Sequence, residues 1–186
     1  MAHLFAALVH YPVLNRTGDI IASAITNLDL HDLARTCCTY GLPACYIVTP
    51  LKDQQALAGR LTAHWIDGKG GEILPERREA LKLLKVVESL RAAKEAVFEN
   101  TGKMPLLWAT TAKKGAGALA HEVARDTLEK ERRPILLVFG TGWGLAPEVF
   151  DEVDGVLEPI PGANGYNHLP VRSAASILMD RLLGIR

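Results

Sequence analysis

Residues 135–178 read ILLVFGTGWGLAPEVFDEVDGVLEPIPGANGYNHLPVRSAASIL, and the fold turns on how this stretch is read. The apolar run 135–139 is long enough for one buried strand. It breaks into a turn at Gly140, Gly142 and Gly144, where the missing Cβ lets backbone come close to a ligand. A second short strand, 155–160, ends in Pro161-Gly162. A polar loop, 164–169, follows and feeds a helix whose first turn begins at Pro170, a position that proline favours. A glycine turn, a Pro-Gly strand end and a helix N-terminus thus fall within one short span. A strand followed by G-x-G, with Glu158 ending the next strand, also invites a dinucleotide-binding reading. The spacing argues against that. Only ten residues, Pro147 among them, separate Gly144 from Gly155, whereas a crossover between parallel strands needs about a dozen or more. Such a fingerprint also belongs at the first strand of its fold rather than near the end of the chain.

Upstream of this stretch, strand and helix patterns alternate. Residues 4–10 form a buried strand closed by Tyr11-Pro12, and 13–27 read as a loop. A helix starts at Asp29, an N-cap candidate with an acid three residues on. Its apolar face carries Leu30, Leu33, Ala34, Cys37 and Cys38, and Gly41 stops it. Residues 44–48 form the next strand, and Leu57, Ala58, Leu61 and Trp65 mark a second helix. After the flexible break 67–71, residues 75–100 read as one long charged helix with Leu83, Val86, Val87, Leu90 and Val97 facing inward. Arg78, Lys82 and Lys85 then share a face that either is simply solvated or meets phosphates. Residues 104–110 form another strand, and Gly115 and Gly117 lead into a helix carrying Leu119, Val123 and Ala124. The final helix, 170–183, sets Val171, Ala174, Ala175, Leu178 and Leu182 on one side. The alternation predicts an α/β fold, a mainly parallel sheet flanked by helices. It forms one domain over residues 1–186, with 70–102 as a charged helical insertion.

Composition sets the outer bounds. The 186 residues are 48% hydrophobic, enough for a proper core, and the formal net charge is zero, so no global field recruits nucleic acid. No run approaches a membrane span, and the N-terminal MAHLFAALVHYP has no basic region or cleavage site, so a cytoplasmic protein is expected. Cys37, Cys38 and Cys45 lack metal-ligand spacing and read as reduced core thiols. His10, His31 and His168 fit no metal motif either, so no metal is expected. Lys113-Lys114-Gly115 lacks the pattern of a phosphate loop.

VFGTGWGL (138–145) paired with GYNHLPVRSAASI (165–177) resembles the cofactor-binding end of the SPOUT class of RNA methyltransferases. The resemblance runs over essentially the whole chain. It is nearest to a stand-alone bacterial group similar to the tRNA (guanine-N1) methyltransferases. It implies a C-terminal trefoil knot, S-adenosylmethionine (SAM) as cofactor, RNA (tRNA or rRNA) as substrate, and a homodimer that shares its active site between subunits. It also implies a cofactor slot. Backbone at Gly140, Thr141, Gly142 and Gly144 would line it, and Ile160, Leu169 and Val171 would wall it. Thr110, Gly162, Tyr166, Asn167 and His168 would complete it. Trp143 belongs to the same set and either stacks on a base or fills the core. Pro170 stands where many members carry Ser, which removes a hydroxyl and an amide donor. NLDLHDLARTCCTYG (27–41) resembles the class pattern Asn…Arg-Thr…Gly, whose arginine lies near the transferred methyl. On that resemblance Arg35 is the leading catalytic candidate, for phosphate or nucleotide positioning. Asn27 and Asp29 follow, Asp29 as a possible base. Two plainer readings stay open: Asp29 caps its helix, and Arg35 pairs with Asp32. The alternative function is a non-catalytic module that keeps the knotted fold and binds RNA or protein, which the neutral charge favours.

Overall fold

Residues 3–115 and 117–185 are described by the computed structural model. β1 (Leu4–Val9) is followed by the hairpin β2 (Val13–Leu14) and β3 (Ile20–Ile21), then α1 (Asn27–Thr39), β4 (Cys45–Val48) and α2 (Lys52–Ile66). Next come α3 (Lys69–Ile73), α4 (Pro75–Leu81), β5 (Leu84–Val87), α5 (Leu90–Thr101), β6 (Leu106–Ala109) and α6 (His121–Lys130). β7 (Ile135–Gly140), α7 (Pro147–Phe150), β8 (Gly155–Val156) and α8 (Val171–Leu183) complete the order. Six strands form one sheet in the order β5-β4-β1-β7-β6-β8, and every pairing in it is parallel.

Side chains alternate across a strand, and here both faces are buried, as a parallel sheet requires. Leu4, Ala6 and Leu8 of β1 join Ile135, Leu137 and Phe139 of β7 beneath α1, α6 and α8. Phe5, Ala7 and Val9, with Leu136 and Val138, face α5 and α7 on the other side. Phe5 and Phe139 are fully buried, and each contributes roughly 1.5–3 kcal/mol by leaving water.

Four expectations change. Residues 75–100 are not one helix, and 70–102 is not a helical insertion: β5 lies at the edge of the main sheet, paired with β4 from Cys45↔Leu84 to Val48↔Val87. Ser89 caps α5 separately, its hydroxyl accepting from the Ala92 amide at 3.1 Å. The spacing of Leu83, Val86, Val87 and Leu90 fits a helix, but a short apolar run with paired valines fits a buried strand equally well. Arg78, Lys82 and Lys85 therefore share no helical face. α1 is capped by Thr26, which accepts from the Asp29 amide at 3.1 Å, so Asp29 lies inside the helix. The strand expected over 155–160 pairs with β6 at Gly155 and Val156, adds one bridge from Leu157 to Leu119 and goes no further, because Pro159 and Pro161 cannot donate to a ladder. Cys38 is exposed, while Cys37 and Cys45 are buried.

Candidate active site

In an open parallel sheet, ligands bind beyond the carboxyl ends of the strands, where the connections diverge to opposite sides. Here that point lies between β1 and β7. From β1 the chain steps outward through β4 to β5; from β7 it leaves on the other side, past β6 to β8. A cavity of about 1010 Å³ opens there. Its walls come from the segment after β3 (Ser23, Asp29), the turn after β7 (Gly140 to Leu145) and the loop after β6 (Thr110 to Lys113). Glu158, Ile160, Gly165, residues 167–169 and the first turns of α8 close the remaining side.

The turn after β7 is fixed by its backbone. Gly142 has φ +58°, and a Cβ there would lie 2.8 Å from the Leu14 carbonyl, so this position needs glycine. The Trp143 amide donates to that same carbonyl at 2.9 Å, and Leu14 donates back to the Gly144 carbonyl at 2.9 Å, which pins the turn to the β2–β3 hairpin. Below it, the Thr141 hydroxyl lies 2.9 Å from the Val9 carbonyl and 2.5 Å from the Ser23 hydroxyl, which is 2.9 Å from Nδ1 of His10. His10 is fully buried, and its Nε2 meets no hydrogen-bond geometry with any described residue. Burial lowers its pKa below the ordinary histidine value, partly offset by Asp29 and the Ala24 carbonyl.

Beside the cavity, in the groove between α1 and α8, Arg172 at the root of α8 grips α1. Its Nε lies 3.3 Å from Asp29 and its Nη1 donates to Asp32 at 2.7 Å. Asp29 also accepts from the Thr26 hydroxyl at 2.6 Å. At the far edge, Glu158 accepts from the His121 amide at 3.3 Å. An Arg181 nitrogen sits 2.8 Å from Nδ1 of His121, and since a guanidinium only donates, that ring nitrogen is the acceptor. Burial and Arg181 both lower the His121 pKa, against the pull of Glu158.

Of the residues expected to hold a cofactor, Thr110, Gly140, Thr141, Gly142, Trp143 and Gly144 line the cavity, as do Ile160, Asn167, His168, Leu169 and Val171. Gly162 and Tyr166 do not. They shape the loop instead, since a Cβ on Gly162 would collide with the Tyr166 carbonyl. Trp143 is 56% exposed, so it does not fill the core. Among the catalytic candidates only Asp29 lines the cavity. Asn27 is exposed at the start of α1. Arg35 lies in a separate shallow groove between α1 and α8, with Thr36, Thr39, Tyr40 and Ser173. It does not pair with Asp32, whose partner is Arg172. Sequence reasoning missed Ser23, Arg172 and the His10 network. Of these, only the buried position of His10 at the end of an apolar strand carried a local signal.

A family model for SAM-dependent RNA methyltransferases matches residues 3–184. The chain belongs to that family. A tRNA (guanine-N(1)-)-methyltransferase of Nitratidesulfovibrio vulgaris is 50% identical over 98% of this chain, but the match spans 42% of that protein's length. An uncharacterised protein of Aquifex aeolicus is 36% identical over 97% of this chain and 88% of its own. The A. aeolicus TrmH/SpoU tRNA modifying enzyme shares the fold, with a TM-score of 0.57 at 19% identity over 98% of this chain and 73% of that one.

The site of this family member suits SAM. The cavity pairs buried apolar walls (Phe139, Leu145, Leu178) with two carboxylates, Asp29 and Glu158, as an adenine joined to cationic sulfonium and ammonium groups requires. At Gly144 and Gly165 an added Cβ would meet nothing within 4 Å, so the backbone there borders open space that a ligand can fill. No helix among the described residues is long and apolar enough to cross a membrane, and no described group of three or more His, Cys, Asp or Glu could hold a metal.

Proposed function

We propose that this chain transfers a methyl group from SAM to a nucleotide of tRNA or rRNA in the cytoplasm. The supporting observation is the cavity at the β1–β7 divergence, walled by a glycine turn and the root of α8, in a member of a SAM-dependent family. SAM supplies an electrophilic methyl carried on a sulfonium. The protein's part is positioning, which accounts for most of the acceleration in a displacement of this kind. Backbone at Gly140, Gly142 and Gly144 holds the adenine end, and Ile160, Leu169 and Val171 wall it. The first-turn amides of α8, which no side chain caps, face the carboxylate end. A C-terminal trefoil knot would tie these pieces together. The Asn167 side chain, donating to the Ala112 carbonyl at 2.9 Å, supports a closed path there.

Two copies assemble as a homodimer, and Arg35 of one serves the cavity of the other. The supporting fact is its separation from its own cavity, in the α1–α8 groove. The guanine-N1 specificity named for the N. vulgaris protein is not carried over, because more than half of that protein lies outside the match. A second reading, a binding module without transferase activity, draws on Asp29, which is already engaged by Thr26 and Arg172 and so makes a poor base.

Titration calorimetry with SAM, followed by transfer of labelled methyl to total RNA from cells lacking the protein, separates the two. SAM binding with labelled RNA supports the enzyme. RNA binding without transfer supports the module. Mass spectrometry of the labelled nucleosides then identifies the base.

A further inference from the structure

We infer that Trp143 is the stacking platform for the acceptor nucleobase, and that it serves the RNA rather than the cofactor. This rests on the methyltransferase reading above and names a residue for its second substrate.

Three observations lead there. Trp143 is held outward by a rigid frame: its amide is tied to Leu14, and glycines with φ +58° and +106° flank it. A surface loop with no task for its indole would not require this. Trp143 is 56% exposed, more than any other large apolar residue lining the cavity: Phe139, Leu145 and Leu178 are buried, and Leu169 is 43% exposed. That openness leaves its ring available to a second planar ligand. The cavity, at about 1010 Å³, is also at the top of the range of roughly 300–1,000 Å³ for small-molecule sites, leaving room for a second planar group beside a bound cofactor.

The chemistry selects the occupant. A methyl acceptor inside a duplex is out of reach, so enzymes that modify bases take an unstacked one. An unstacked base recovers its lost stacking on an exposed aromatic ring, with little regard to sequence. On the loop after β6, exposed Lys113 lines the same cavity and has no ion pair among the described residues, so it supplies a cation for the attached phosphate. His168, with the exposed Tyr166 ring packed edge-on against it at 5.4 Å, contributes further aromatic surface. The class of ligand is therefore an unpaired nucleotide of an RNA, presented beside the cofactor.

The test compares Trp143→Ala, Trp143→Phe and the wild type, using SAM and total tRNA from cells lacking the protein. In Trp143→Ala the KM for tRNA rises roughly ten- to a hundredfold, as the loss of one stacked base predicts. The Kd for SAM stays within about twofold. Trp143→Phe recovers most of the loss, and adding tRNA quenches indole fluorescence in the wild type but not in Trp143→Ala. An unchanged KM in Trp143→Ala overturns the inference. So does a fall in SAM affinity that matches the loss, which would make the ring a cofactor wall. Dissociation of the Trp143→Ala assembly into monomers also overturns it, because the ring would then belong to a protein interface. A wild type that neither binds SAM nor methylates RNA defeats the underlying reading, and that result is visible before any variant is made.

Discussion

At the root of α8 the Arg172 guanidinium reaches two carboxylates on α1, one helical turn apart, with a third of its side chain still accessible to water. Arg172→Ala leaves Asp29, only 13% exposed, without its cation and loosens α1 from α8. Charge-assisted contacts of this kind are worth about 1–2 kcal/mol after allowance for solvent screening. Urea unfolding should show that loss, and titration calorimetry a weaker affinity for SAM. Arg172→Lys should recover little of either, since a point charge cannot span both acids. The sequence held no trace of this clamp because its partners lie 140 residues apart. His10 carries a different signature. Its folded pKa is lowered, so the folded state binds fewer protons than the unfolded chain. The stability this gives is complete above about pH 6.5, the unfolded histidine value, and is lost as the pH falls below it. Thermal melts between about pH 5 and pH 8 should show a smaller decline on the acid side for His10→Gln, whose amide does not titrate. A residual decline is expected in that variant, because burial lowers the pKa of His31 and His121 in the same direction.

The elements differ in how openly the sequence declared them. The glycine turn, the 164–169 loop and the start of α8 were legible because all three lie within one continuous stretch, and most residues expected there do line the cavity. The facing wall was not legible, since Ser23 meets Thr141 only through the parallel pairing of β1 with β7. β5 was not legible for a local reason: its apolar spacing satisfies two periodicities, and Ser89 alone, as the cap of α5, divides the segment. Ser89→Ala tests the division by its sign. In the middle of a continuous helix, alanine is the better helix former and would stabilise the protein. At the cap of α5 it removes the acceptor for the Ala92 amide and should cost about 1 kcal/mol. The shift in the urea midpoint, at unchanged slope, gives the answer.

For the whole molecule, the acceptor-positioning role proposed for Arg35, which lines the α1–α8 groove and not the cavity, sets a condition on assembly. Such an arginine must come within reach of the reacting atoms, and the proposed symmetric dimer would achieve this by placing α1 of each subunit at the other's cavity. Two inactive variants then complement each other. Arg35→Ala removes the guanidinium and leaves the cavity intact. Val171→Trp, on the first turn of α8, fills the cavity and leaves Arg35 in place. Co-expressed with different tags and purified through both, the heterodimer has one site in which an intact cavity meets an intact Arg35 of the partner subunit. It should therefore show about half the methyl transfer of the wild-type dimer, while each variant homodimer shows almost none. If Arg35 instead served its own cavity, each site of the heterodimer would carry one lesion and the mixed species would be as inactive as its parents. Light scattering on the same preparations reports whether the dimer forms at all, so failure to assemble is distinguished from failure to complement.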